Sequence, residues 1–88
     1  MAIIWLRFKP IEASNLKIRA ALMRAIEEEL DRKNLTQLQA AKLLDVSQPR
    51  VSDLRCGKIN LFTIDMLINM LVKLNRSVHL VIDDRIAA

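Results

Sequence analysis

The stretch "SQPRVSDL", Ser47 to Leu54, crowds Ser47, Gln48, Arg50, Ser52 and Asp53 into little more than two helical turns. Each can hydrogen-bond to a flat polar edge. A glutamine carboxamide such as that of Gln48 donates and accepts at once, which matches the major-groove edge of adenine bidentately. Arg50 carries a long cationic fork suited to guanine or to phosphate. A carboxylate such as Asp53 repels phosphate but can accept from the amino group of cytosine. Just beyond, Arg55, Lys58 and Asn60 suit contacts to a sugar–phosphate backbone. Each residue also has a plainer reading: Gln48 as ordinary surface, Arg50 as an ion-pair partner, Asp53 as a helix-surface charge, and Lys58 and Asn60 as loop residues.

Other chemistry is scarce. The chain has one histidine (His79), one cysteine (Cys56) and one glycine (Gly57). That leaves no nucleophile–base pair, no metal knuckle and no glycine-rich phosphate loop, so neither catalysis nor a cofactor nor a metal is expected. A lone Cys56 cannot form an internal disulfide and fits a reducing compartment, hence the cytoplasm; packing in a partly buried site is its expected role. His79 is expected at the surface or in an interface. The net charge of +4 is compatible with a polyanionic partner without being specific for one. No apolar run approaches the ~20 residues that span a bilayer. "MAIIWLRF" is apolar but lacks the basic leader and length of a signal peptide.

The polar cluster needs elements to hold it. The 88 residues make one domain, 1–88, near the lower limit for folding alone, and 52% are hydrophobic. Such a chain is expected to share some apolar surface with a partner. Residues 1–10 form an apolar arm, either a strand or a segment packed on the body. A helix is expected over 15–33, capped by Ser14 and stopped by Asn34, with Leu16, Arg19, Ala20, Met23, Ile26 and Leu30 along one stripe. Thr36 and Gln39 make a capping box for a second helix that ends near Leu44. Asp45 stands at a corner that requires positive φ, and Val46 plugs it. Ser47 caps the third helix, with Pro49 in its first turn and Gly57 at its end. Thr63 caps a fourth, with Ile64, Leu67, Ile68, Leu71, Val72 and Leu74 on its apolar face and Asn75 as its stop. Met23, Met66 and Met70 are core or interface filler. From Ser77 to Asp83 the period changes to two, with Val78, Leu80 and Ile82 on one face. A single strand must pair with the arm or with the same strand of a second chain.

Two short helices with Ala41 between them, a tight corner at Asp45–Val46, and Val51 and Leu54 filling the angle make a helix-turn-helix over 36–57. The segment "QLQAAKLLDVSQPRVSDLRCGK" resembles the Cro/cI-type (XRE) helix-turn-helix family. The longer run from Leu16 to Ile82 is similar to its small HigA-like antitoxin branch. Asp45 and Asn75 stand where that family commonly has glycine. The resemblance implies a mainly α, four- to five-helix, lambda-repressor-like domain with a short C-terminal β-strand, and the unpaired strand itself leads to the expectation that it pairs across a dimer through Val78, Leu80 and Ile82. It implies that Gln48, Pro49, Ser52 and Asp53 face bases and that Gln37 binds a phosphate and braces Gln48. Ser47, Arg50, Arg55, Lys58 and Asn60 complete the expected contact set. The implied function is a sequence-specific, homodimeric repressor on an inverted-repeat operator in double-stranded DNA, and further an antitoxin that binds a RelE/HigB-like ribonuclease toxin. The alternatives are a stand-alone regulator without a toxin, or a protein-interaction module that has lost DNA reading.

Overall fold

The computed structural model describes residues 2–82. Met1 of the expected arm and Asp83 of the expected strand lie outside the described residues. The elements run β1 (Ala2–Phe8), α1 (Asn15–Lys33), α2 (Gln37–Leu44), α3 (Gln48–Arg55), α4 (Ile64–Lys73) and β2 (Arg76–Ile82), with single 3-10 turns at Pro10–Glu12 and Ile59–Leu61.

Local chemistry sets where the helices start. Four hydroxyls sit at the N-caps in extended backbone, each accepting from an amide three residues on: Ser14 from Lys17, Thr36 from Gln39, Ser47 from Arg50 and Thr63 from Met66. The Gln39 side chain returns a bond to the Thr36 amide at 2.9 Å, completing the capping box. Asn34, Asp45 and Asn75 adopt left-handed φ values of 52°, 57° and 63°. In each case the chain must leave the helix axis sharply, and a short polar side chain tolerates that conformation better than a bulky one.

The core gathers Leu22, Met23, Ile26 and Leu30 of α1, Ala40, Ala41 and Leu44 of α2, Val51 and Leu54 of α3, Phe62, and Leu67, Met70, Leu71 and Leu74 from α4 to its C-cap. Fully burying a leucine or isoleucine side chain contributes about 1.5–3 kcal/mol, so this one cluster carries most of the fold's cohesion. Of the expected stripe residues, Arg19, Ala20, Ile64 and Ile68 are only half-buried, and two stand exposed: Leu16 is 53% exposed and Val72 57%. Leu16 lies in the first turn of α1, a turn and a half before Leu22, where the core begins. On α4 the buried positions 67, 70, 71 and 74 define the inner line, and Val72, rotated about 100° from Leu71, points out. Cys56 is exposed rather than partly buried, because it is the residue that ends α3.

The C-terminal strand pairs within the chain. β1 and β2 form a parallel two-stranded sheet in which Ile4 faces Val78, Trp5 faces His79 and Phe8 faces Ile82. The arm therefore takes one edge of β2, and the pairing expected across a dimer is not the one that occupies it. All four helices separate the two strands in the chain, which is the long crossover that parallel pairing requires. Ile4, Leu6 and Val78 pack against the core, whereas Leu80 and Ile82 further along the same face stay 39% and 56% exposed.

Candidate nucleic-acid interface

The α2–α3 corner is built around Asp45. The Val46 amide donates back to the Ala41 carbonyl at 3.0 Å and the Asp45 amide to Lys42 at 3.3 Å, which closes the end of α2. Val46 packs half-buried against the core, as expected of the corner's plug. The Lys73 ammonium reaches the Leu44 carbonyl at 3.4 Å and the Asp45 carboxylate at 3.3 Å, tying the corner to α4. The Asp45 side chain is 87% exposed, so the ion pair adds little, while a left-handed non-glycine residue costs roughly 1 kcal/mol. Asp45→Gly is therefore expected to raise stability by about 0.5–1 kcal/mol and Asp45→Ala to lower it, as read from urea unfolding midpoints.

This corner presents α3 by its first turn. Ser47, Gln48 and Pro49 are exposed at its N-terminus, while Val51 and Leu54 are buried beneath. The Ser47 hydroxyl accepts from the Arg50 amide at 3.3 Å, so its part in the structure is the cap. Gln37 is exposed at the start of α2, and no hydrogen bond joins it to Gln48 among the described residues. Gln48 is thus solvent-facing on a rigid, capped helix end, the placement that lets a carboxamide enter a groove.

The charged candidates are tied to their surroundings. The Arg50 guanidinium turns toward the turn after α3, donating to the Leu61 carbonyl at 3.2 Å and lying 5.5 Å from the Phe62 ring centroid. Asp53, half-buried, pairs with Lys58 at 3.5 Å across the end of α3. Arg55 donates to Asp31 at 2.7 Å and joins α3 to α1. Ser52 is half-buried, and Asn60 is exposed in the turn that follows. Gln37, Gln48, Pro49 and Asn60 stand exposed, while Arg50, Asp53, Arg55 and Lys58 hold α3 and its exit loop in register.

Arg19 performs a related task that its place in the apolar stripe did not disclose. Its Nη1 donates to the Ile59 carbonyl at 3.0 Å and the Phe62 carbonyl at 3.4 Å. The turn after α3 is thereby clamped from one side by Arg19 and from the other by Arg50. A cation in the middle of an otherwise apolar stripe was the available signal, since a half-buried guanidinium there must find carbonyls.

No helix among the described residues is long and apolar enough to cross a membrane. A family model described as a helix-turn-helix domain matches residues 8–83. A solved structure whose protein is assigned by name to the XRE family of transcriptional regulators superposes with a TM-score of 0.75 at 33% identity, over 82% of this chain and 81% of that one. No curated protein matches the chain. A capped, exposed α3 held over its supporting helix at a tight corner, in a chain that matches along nearly its whole length, makes this protein a member of the XRE helix-turn-helix family of DNA-binding transcriptional regulators.

Proposed function

We propose that the protein is a non-catalytic, cytoplasmic, homodimeric repressor that reads an inverted-repeat operator with the N-terminal turn of α3. The observation that carries this reading is Gln48, exposed on the first turn of a helix whose opposite face is locked into the core. In this reading Gln48 contacts bases, Ser52 follows one turn on, and Gln37, Arg55, Lys58 and Asn60 lie against the backbone. Arg50 keeps its contact with Leu61 and Phe62 and sets the height of the exit loop. Gel shifts of DNA from upstream of its own gene, competed with mixed-sequence duplex, provide the test. Gln48→Ala is expected to remove about 1–3 kcal/mol of preference at one base position. Equal competition by both DNAs would remove the operator claim.

The dimer is proposed on the sheet. Ile3 and Trp5 are exposed on the outward face, where the Trp5 and His79 rings stack at 4.5 Å, Leu80 and Ile82 are exposed at the far end of the opposite, core-side face, and each strand has one edge unpaired among the described residues. Leu80 and Ile82 are then the contacts, with Val78 already committed to the core. Sedimentation equilibrium should give twice the chain mass; a stable monomer would refute it.

The antitoxin role rests on the similarity to HigA-like proteins, and the apolar outer residues of β1 offer a surface for a toxin. Co-expression with the product of the adjacent gene should yield a complex if that gene encodes a small basic ribonuclease. A gene standing alone favours the stand-alone regulator.

A further inference from the structure

We propose that the cleft between β1 and α1 is a second DNA contact, binding the sugar–phosphate backbone that flanks the site read by α3; this rests on the DNA-reading function above. The cleft, about 400 Å³, is lined by Arg7 and Phe8 of β1 and by Lys17, Ala20, Ala21 and Arg24 of α1. Lys17, Ala20, Ala21 and Arg24 follow the spacing that places residues on one helix face. The two alanines keep the floor low between the cations, so a backbone can approach closely. Arg7, Lys17 and Arg24 are all exposed, and none takes part in an ion pair among the described residues. Arg7 is steadied instead by the Trp5 ring, 6.0 Å from its guanidinium carbon. Among the described residues no carboxylate belongs to the lining, whereas Arg32 and Arg55, the other exposed helix arginines, each have an acidic partner.

The position of the cleft selects DNA over other polyanions. Ala20 and Arg24 also line an adjoining hollow of about 280 Å³ with Met23, Glu27, Gly57 and Ile59. Gly57 and Ile59 belong to the segment that leaves α3. A basic strip therefore runs from the exit of the reading helix, through Arg24, to Lys17 and Arg7, with Glu27 as the acidic group at its α3 end. A strand whose phosphates touch Lys58 and Asn60 would continue onto this strip.

The contact is independent of base sequence, so a fluorescein-labelled mixed-sequence duplex of roughly 30 base pairs, about three helical turns, serves as the probe in anisotropy titrations. The log of the affinity falls with log salt by about 0.9 per phosphate neutralised, measured here from about 50 to 200 mM salt. The combined variant Arg7→Gln, Lys17→Gln, Arg24→Gln is expected to flatten that slope by about 2–3 for each protomer bound. Lys17→Gln alone should flatten it by about 1 per protomer, and the control Lys33→Gln, at the opposite end of α1, should leave it unchanged. Lys17 is exposed, so its single variant carries the test even if the triple variant melts early by circular dichroism. Gln48→Ala should alter operator preference and leave the slope intact. A wild-type slope in the triple and Lys17 variants, or equal flattening by Lys33→Gln, would overturn the second contact while leaving the reading head standing. Wild-type slope together with loss of polyglutamate binding in the triple variant would assign the cleft to an acidic protein instead. A wild-type protein that bound no DNA would overturn both.

Discussion

Glu29→Ala is expected to destabilise the domain by about 3–5 kcal/mol, a large share of what a small domain possesses. Glu29 is the buried charged residue among the described residues, at 6% exposure. Its Oε1 accepts from the guanidinium groups of both Arg32 and Arg76. Arg32 is largely in water, but the Arg76 side chain is only 16% exposed at the root of β2. Removing the carboxylate leaves that cation without a counter-charge where water reaches it poorly, and it also frees the start of the strand that carries β1. The pair's own net contribution is a different quantity. Glu29 Oε2 has no hydrogen-bond partner among the described residues, so the desolvation of the carboxylate is incompletely offset. The double replacement Glu29→Met, Arg76→Leu is accordingly expected to recover most of the loss. Urea unfolding of the two singles and the double separates these effects. A Glu29→Ala protein as stable as wild type would mean that Arg76 finds water without cost.

The second large effect is expected at Phe62. Phe62→Ala should cost about 3–5 kcal/mol, as for an aromatic side chain removed from a packed core. The ring is 2% exposed and also lies under the Arg50 guanidinium. Arg50→Ala should cost far less, since it loses one exposed hydrogen bond and a cation–π contact of about 0.5–1 kcal/mol. A double-mutant cycle on the pair should return a coupling close to that figure. Zero coupling would show that Arg50 stands free of the ring in solution and is available as a base reader.

What could be read from the sequence was what is decided locally. The caps at Ser14, Thr36, Ser47 and Thr63 rest on bonds to an amide three residues away. The stops at Asn34, Asp45 and Asn75 follow from the φ values their side chains tolerate. These place α1 to α4 and the corner without knowledge of anything distant. The phase of an apolar stripe is less local, because it depends on what lies opposite; hence Leu16 and Val72 read as core and lie outside it. β2 was legible as a strand by its alternation, but the choice of partner was not, since an open edge is satisfied equally by the arm or by another chain. The tethering of Arg50 to Leu61, of Arg55 to Asp31 and of Arg19 to Ile59 joins positions far apart in the chain. No spacing rule reveals such contacts. The candidate site was therefore legible as a helix and as a set of residue types, while the division between exposed side chains and residues that brace the loop came from the fold.

The central claim is that the exposed first turn of α3 selects a DNA sequence. Hydroxyl-radical footprinting of the DNA upstream of the protein's own gene, with wild type beside Gln48→Ala, tests it most directly. The expected result is two protected half-sites, one helical turn or ~34 Å apart on one face of the duplex, weakened selectively in the variant. Diffuse protection without a preferred sequence, or a Gln48→Ala footprint identical to that of wild type, would contradict it.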